Sequence, residues 1–392
     1  MKRKLIFILF LPLFFTACSF QNSLDANKSS KAYYYSGYKN KLSYLHTTGN
    51  KIIDEYGDEI KFYGLSWFGF ETNTFAPHGL SIRNYKELIK QIKDLGFNSI
   101  RIPYCNQMFN DGIMPTAINY KINPELEGLK PIEVLDKIVE EAAKNNIRII
   151  LDRHRPDAGG QSELWYTEDY PESRWIDDWI MLTKRYKDNP SVVAFDLHNE
   201  PHGKASWGTG DINTDWRLAA QRAGNEILKI NPKILIIVEG VEKNVKNHDN
   251  YYWWGGNLEG VKEFPVTLNV ANQLIYSPHD YGEGVADQKW FHDKNFPENM
   301  PYIWDKMWGY ISRENIAPIL VGEFGGKKVD LESLEGKWQN AIVDYISLNS
   351  LSWTYWCLNP ESGDTGGILK KDWNTVEYDK LELLDKIMMK KN

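Results

Sequence analysis

Cysteine is scarce in this chain, with three residues in 392 and no Cys-x-x-Cys pair. A disulfide scaffold and a cysteine-built zinc site are therefore not encoded. His-Glu-x-x-His, Gly-x-Ser-x-Gly and phosphate-loop sequences are also missing, which removes zinc proteolysis, the serine-hydrolase elbow and P-loop chemistry. Excess positive charge is absent too. The net charge is −7, and the folded part carries no basic cluster interleaved with aromatics, so no nucleic-acid partner is expected. We find no internal repeat and no low-complexity linker to a second domain. The apolar run Leu5 to Phe15 is too short to span a bilayer as a mature helix.

That run follows Lys2, Arg3 and Lys4 and precedes small residues, the layout of a targeting segment that is excluded from the fold. Thr16-Ala17-Cys18-Ser19 resembles a bacterial lipoprotein signal, in which Cys18 would be acylated and become the mature N-terminus. Phe15 stands where that motif usually has Leu, so a plain secretory signal cut nearby is the alternative. Residues 19–43, rich in Ser, Asn, Lys and Tyr without a helical apolar period, read as a flexible tether. The expected organisation is a signal over 1–18, the tether, and one catalytic domain over 44–392. The protein is expected to be exported, held to a membrane only through its N-terminal lipid, and monomeric. Cys105 and Cys357 could form a disulfide in an exported protein, but nothing in the sequence places them together and they read as two free buried thiols.

Aromatic residues are abundant: 15 Trp, 22 Tyr and 16 Phe, or 14% of the chain. Most belong in a core. Trp in polar, Gly-rich loops is harder to place there, and the C–H faces of sugars stack on indoles. Trp207, Trp253, Trp254 and Trp356 sit in such contexts.

Hydrophobic content of 42% with 25% charged residues is ordinary for a globular protein, and the length suits one large α/β domain or two smaller ones. Turn signals at Thr48-Gly49-Asn50 and Tyr56-Gly57-Asp58 around Lys51–Asp54 predict a hairpin over Leu45–Lys61. Apolar strands are then predicted at Lys61–Phe68, Asn98–Pro103, Ile147–His154, Val192–Asn199, Ile234–Gly240, Gln273–Tyr281, Pro318–Gly325 and Leu351–Leu358. Amphipathic stretches lie between them. Tyr85, Leu88, Ile89, Ile92 and Leu95 form one apolar stripe at helical spacing; Ile132, Leu135, Ile138, Val139 and Ala142 form another. Eight such units match an α/β fold of the (β/α)8 TIM-barrel type, a single catalytic domain with an N-terminal β-hairpin. The fifth unit is the weakest, because Gly240 to Gln273 reads as a Trp/Gly/Asn-rich loop.

The polar residues that interrupt these strands fall at their downstream ends: Arg101, His154, Asn199 with Glu200, His279 with Tyr281, Glu323, and Trp356. In a (β/α)8 barrel those ends converge on the face that carries the active site. Two of the strands, VVAFDLHNEPH and PILVGEFG, each deliver a single glutamate, Glu200 and Glu323, into apolar surroundings. Two carboxyl groups on separate strands suit cleavage of a glycosidic bond, one attacking carbon and the other protonating the leaving oxygen. The acid needs a raised pKa; the nucleophile needs cations and donors, which Arg101 and Tyr281 can supply. His198 and His202 bracket Asn199-Glu200, but a strand would point His198 away from the cavity, so no metal is expected there. The loop Glu361–Gly367 lacks EF-hand spacing and reads as a tight solvated turn.

Arg101, His154 in LDRHRPD, Asn199-Glu200-Pro201, His279-Asp280-Tyr281, Glu323 in VGEFGG and Trp356 in WTYWCLNP together resemble the signature of family 5 glycoside hydrolases. GLSWFGFET, LWYT, NEPH, YYWWGGNL and SGDTGGIL make the chain most similar to the bacterial endo-β-1,4-glucanases of that family, from about Leu45 to Trp373. The resemblance implies a retaining enzyme acting on β-1,4-glucan, with Glu200 as acid/base and Glu323 as nucleophile. It implies that Asn199 binds the sugar 2-hydroxyl, that Arg101 and Tyr281 hold Glu323, and that His279 sits near Glu200. His154 would line the site and Trp356 would floor the subsite where cleavage occurs. No metal or organic cofactor is implied. Without a separate carbohydrate-binding module on a Ser/Pro linker, efficient attack on crystalline cellulose is not expected. β-Mannanase or other β-glycanase activity is the alternative within the enzyme class, and a non-catalytic glycan-binding lipoprotein is the alternative outside it.

Overall fold

Gly49 and Gly57 adopt φ values of 56° and 91°, a region other residues enter at a cost, and the chain reverses at each. The computed structural model describes residues 41–388; the leader with Cys18 and most of the tether lie outside the described residues. The two reversals join three short antiparallel strands, β1 (Leu45–Thr48), β2 (Lys51–Asp54) and β3 (Glu59–Ile60). The predicted hairpin thus carries one strand more than expected, because Ile60 pairs back onto Ile52.

The predicted barrel strands follow as β4 (Tyr63–Ser66), β5 (Ser99–Cys105), β6 (Arg148–Arg155), β7 (Val192–Asp196), β8 (Leu235–Glu239), β9 (Leu274–Ser277), β10 (Leu320–Val321) and β11 (Ser352–Tyr355). They form one 8-stranded sheet in the order β10-β11-β4-β5-β6-β7-β8-β9, every neighbouring pair parallel. Parallel bridges Tyr276–Ile319 and His279–Glu323 bring its two edges together. The fold is a (β/α)8 TIM barrel. Between strands run α1 (Tyr85–Asp94), α2 (Pro131–Lys144), α3 (Glu172–Tyr186) and α4 (Trp216–Ile230). Later come α5 (Met300–Trp304) and α6 (Tyr310–Arg313), joined by a π-helical stretch, then α7 (Leu334–Asn349) and α8 (Tyr378–Leu384). No helix forms between β8 and β9, as the loop-like composition of that unit predicts.

Local chemistry explains the helices. Asn84 caps α1 by accepting from the Lys86 amide, Glu87 lies in the first turn and Lys93 in the last, each matched to the helix dipole. Its stripe Tyr85, Leu88, Ile89 and Ile92 is buried against the barrel, with Leu95 half-buried just beyond.

The strands serve two cores at once, because side chains alternate across a strand. Ile149, Leu151, Phe195, Ile236 and Val238 face the helices in the main core. Ile150, Ala194, Ile237, Ile275 and Leu320 pack instead with Leu45, Ile52, Ile60 and Phe62, so the small sheet plugs one end of the barrel. Two residues downstream on the same inward register the side chains become polar: Asp152 after Ile150, Asp196 after Ala194, Glu239 after Ile237, Ser277 after Ile275. All four are buried. Apolar plug and polar layer are adjacent storeys of one barrel.

Candidate active site

At the downstream strand ends a cleft of about 450 Å³ is lined by His154, Gln161, Glu200, Trp253, Trp254, Tyr281, Glu323, Trp356 and Thr365, among others. The structure brings the predicted site residues together in and just beneath this cleft, but several arrive differently from expectation. Asn199 and Glu200 lie beyond the end of β7 rather than on it. Glu200 adopts φ of 51°, which takes the backbone out of the ladder. Arg101 is not at a strand end; it is the third residue of β5, paired level with Ile150, one storey below.

From that depth Arg101 serves as a hub. Its Nε donates to Asp196 Oδ2 at 3.0 Å, Nη1 to Glu323 Oε1 at 2.6 Å, and Nη2 to Asn199 Oδ1 at 2.9 Å. Asp152 Oδ2 is 3.1 Å from Nη2 and Glu239 Oε1 is 3.3 Å from it. Burial opposes the guanidinium charge, but the surrounding carboxylates outweigh it and push its pKa well above the usual value. Tyr281 Oη donates to the other oxygen of Glu323 at 2.6 Å. Burial, then the Glu323 charge, keeps that phenol protonated far beyond its ordinary range.

Glu200 has a different setting. His279 Nδ1 lies 3.1 Å from Oε1, and Gln161 Nε2 donates to Oε2 at 3.0 Å. Among the described residues no Lys or Arg contacts it, and burial raises its pKa above the ordinary glutamate value. Burial also lowers His279 to about 3 and His154 to about 4, so both imidazoles are neutral near pH 7. His154 donates from Nδ1 to Asp152 Oδ2 at 2.7 Å. Asn199 Nδ2 is buried without a protein acceptor among the described residues, a donor free for a ligand.

Trp356 lies parallel to both His154 and Phe68, with centroids 5.4 and 5.6 Å away and planes 8° and 11° apart. The remaining tryptophans divide. Trp254 is 40% exposed and stacks on His202, whereas Trp253 is mostly buried in the cleft wall. Trp207 does not belong with them: it is fully buried, donates from Nε1 to the Phe264 carbonyl, and is core. A Gly-rich neighbourhood misled there because Gly208 and Gly260 are pressed against Phe264 and Trp207 rather than exposed.

His198 is buried against Arg153 Nη1 at 2.9 Å, away from the cleft, and His202 donates its Nδ1 to the Glu200 carbonyl at 2.6 Å. Three clusters in the described residues could offer a cation three ligands: Asp152/His154/Glu323, Asp196/Glu239/His279 and Glu200/His279/Glu323. Arg101 is already paired with both carboxylates of each of the first two clusters and with Glu323 of the third. The loop Glu361–Gly367 is more than a solvated turn, since Asp364 and Thr365 line the cleft and Thr365 is buried. Cys105 and Cys357 are free and buried, and burial raises both thiols, Cys105 to about 12.

Asp152, Asp196, Glu239 and Gln161 were not picked out from the sequence. The first three carried the same signal as the others, a lone acid on an inward register. Gln161 lies in an irregular loop and carried none.

This arrangement can protonate one atom and attack its neighbour. The profile of the family described as Cellulase (glycosyl hydrolase family 5) matches residues 53–362. The chain belongs to glycosyl hydrolase family 5. An endoglucanase of Paenibacillus polymyxa is 60% identical to this family 5 chain over 345 residues, covering 88% of the chain and 87% of that protein. Among solved structures, the catalytic domain of the major endoglucanase of Xanthomonas campestris pv. campestris superposes with a TM-score of 0.84 at 40% identity, covering 88% of this chain and 99% of that one. The hyperthermophilic endocellulase of the archaeon Pyrococcus horikoshii gives a TM-score of 0.84 at 40% identity, over 89% and 99%. The family 5 chain is a glycosidase.

Proposed function

We propose that the protein is an endo-acting β-1,4-glucanase that cleaves with retention of configuration, with Glu323 as nucleophile and Glu200 as acid/base. The observation that carries this reading is the proximity of the two carboxyl groups. One oxygen from each, with a nitrogen of His279, falls within a 4.8 Å cluster. Direct attack on the anomeric carbon calls for carboxyl groups about 5–5.5 Å apart, whereas a water-mediated inversion needs about 6.5–9.5 Å. The relatives' names, both endoglucanases, support the glucan as substrate.

In the first step Glu323 attacks the anomeric carbon while Glu200 gives its proton to the leaving oxygen. In the second, Glu200 as carboxylate takes a proton from water, which attacks the same carbon and frees Glu323. Arg101 and Tyr281 offer Glu323 two donors, the setting a carboxylate nucleophile needs. Burial raises the pKa of Glu200, which favours the protonated form that the first step needs. Asn199, with its free amide donor, suits the sugar 2-hydroxyl, and Trp356 suits a sugar face.

Hydrolysis of carboxymethylcellulose, followed by viscosity and reducing ends together, tests the endo mode: viscosity is expected to fall well before many ends appear. Proton NMR of the first product is expected to show the β-anomer. Release of the α-anomer first would overturn retention, and a preference for mannan in a substrate panel would overturn the glucan assignment. Export, with a lipid on Cys18, completes the reading and is supported by the leader sequence. Cys18→Ala is expected to move the protein from the membrane to the soluble fraction; unchanged membrane association would reject the anchor. A single acyl chain binds only marginally, so the anchor is expected to carry more than one.

A further inference from the structure

Below the catalytic pair, the carboxyl groups of Asp196 and Glu239 have no place in the displacement itself. Glu239 is the last residue of β8 and is fully buried. Its Oε2 accepts the backbone N–H of Glu200 at 2.7 Å. Its Oε1 is 3.3 Å from Arg101 Nη2 and 3.3 Å from His279 Nε2. The same carboxyl therefore touches Glu200, the hub beneath it and the imidazole beside it.

The Glu200 amide needs that acceptor. Beyond the end of β7, at φ of 51°, the residue lies outside the strand ladder and in the left-handed region that a side chain disfavours. The chain is also built to admit Glu239 at this point. A Cβ on Gly255 would come 2.3 Å from Glu239 Oε2 and 3.2 Å from Glu200 Cα. Glycine is required there by the approach of both residues.

One carboxyl oxygen of Asp196 lies within 4.8 Å of one of Glu239, and both residues are fully buried. Two ionised carboxylates buried that close repel and can only accept, whereas one proton held between them relieves the repulsion and supplies a donor. Asp196 Oδ1, buried and otherwise unpartnered, is an oxygen that proton can satisfy. The charge balance calls for the proton as well. Arg101 from β5 is ringed by Asp152 from β6, Asp196 from β7, Glu239 from β8 and Glu323 beyond β10, while His154 and His279 stay neutral. One cation among four carboxyls leaves excess negative charge in a buried layer, which a bound proton relieves.

We propose that Glu239 is a positioning residue for Glu200, acting as one half of a proton-sharing pair with Asp196. It pins the Glu200 backbone, and thereby sets where the Glu200 carboxyl meets its proton acceptor. The proposal rests on Glu200 being the acid/base.

Two conservative variants separate reach from charge. Glu239→Gln keeps the length and a carbonyl acceptor for the Glu200 amide, cannot ionise, and can donate to Asp196. Glu239→Asp stays ionisable but withdraws the acceptor by one methylene. For each, kcat/KM is measured on soluble β-glucan and on an aryl β-cellobioside with a good leaving group, with Glu200→Ala as reference. Folding is checked by near-UV circular dichroism. Glu239→Gln is expected to stay within about threefold of wild type on both substrates. Glu239→Asp is expected to lose about 10–100-fold on the glucan, where protonation is demanding, and only about threefold on the aryl substrate. A Gln variant as impaired as the Asp variant would overturn the shared proton. An Asp variant equally impaired on both substrates, or impaired on neither, would overturn the positioning role. If Glu200→Ala itself fails to distinguish the substrates, the fault lies in the assignment of Glu200, and the positioning role falls with it.

Discussion

Tyr281 Oη lies 2.6 Å from Glu323 Oε2 and donates to it, since burial and the Glu323 charge keep the phenol protonated. A hydrogen bond to a charged partner contributes about 1.5–3 kcal/mol. Tyr281→Phe removes the donor and little volume, so kcat/KM is expected to fall roughly 10–150-fold with thermal stability nearly unchanged. Steady-state kinetics beside a thermal melt will check this. Unaltered kinetics would mean that Arg101 alone supports the carboxylate.

Glu323→Ala and Glu200→Ala should both nearly abolish glucan hydrolysis, for different reasons. Loss of Glu323 removes the covalent step for every substrate. Loss of Glu200 spares the first step when the leaving group needs little protonation. Azide should then yield a β-configured glycosyl azide from Glu200→Ala and an α-configured one from Glu323→Ala, assigned by NMR. The reverse configurations would exchange the two roles.

Glu200 must hold its proton for the first step, and burial raises its pKa. The active form is present below that pKa and is lost as pH rises through it. The basic limb of kcat/KM on glucan is therefore expected to lie above 4.5, the ordinary value for glutamate. On an aryl glycoside with a good leaving group that limb should flatten. A limb equally steep on both substrates would assign it to another group.

Trp356 lies parallel to His154 and Phe68 and lines the cleft. Trp356→Ala is expected to weaken oligosaccharide binding by about 1–3 kcal/mol, the worth of an aromatic stacking platform, while the fold survives. Calorimetric titration of a Glu200→Ala background with cello-oligosaccharide, with and without the second substitution, measures it. A variant that unfolds, with undiminished affinity in its folded fraction, would place Trp356 in the core.

Much of the barrel was legible because an apolar strand between amphipathic stripes announces itself locally. All eight runs became strands, though mostly shorter than predicted. Val192–Asn199 shows why. The apolar pattern continues through Leu197, but pairing stops at Asp196 and the backbone turns left-handed at Glu200. That turn depends on an acceptor supplied by Glu239 from a different strand, and no local pattern contains it.

The sequence by itself determined which residues could do the chemistry, since lone acids, histidines and aromatics at the ends of apolar runs need partners wherever they fall. Tertiary structure decided which of them meet. It lowered Arg101 one storey beneath the cleft, set Asp196 beside Glu239, and brought Gln161 to Glu200 from an irregular loop. It also sent Trp207 into the core while leaving Trp254 exposed. The reason is physical. Hydrophobic periodicity is set by neighbours a few residues apart, whereas charge pairing and burial depend on what barrel closure brings together across the chain.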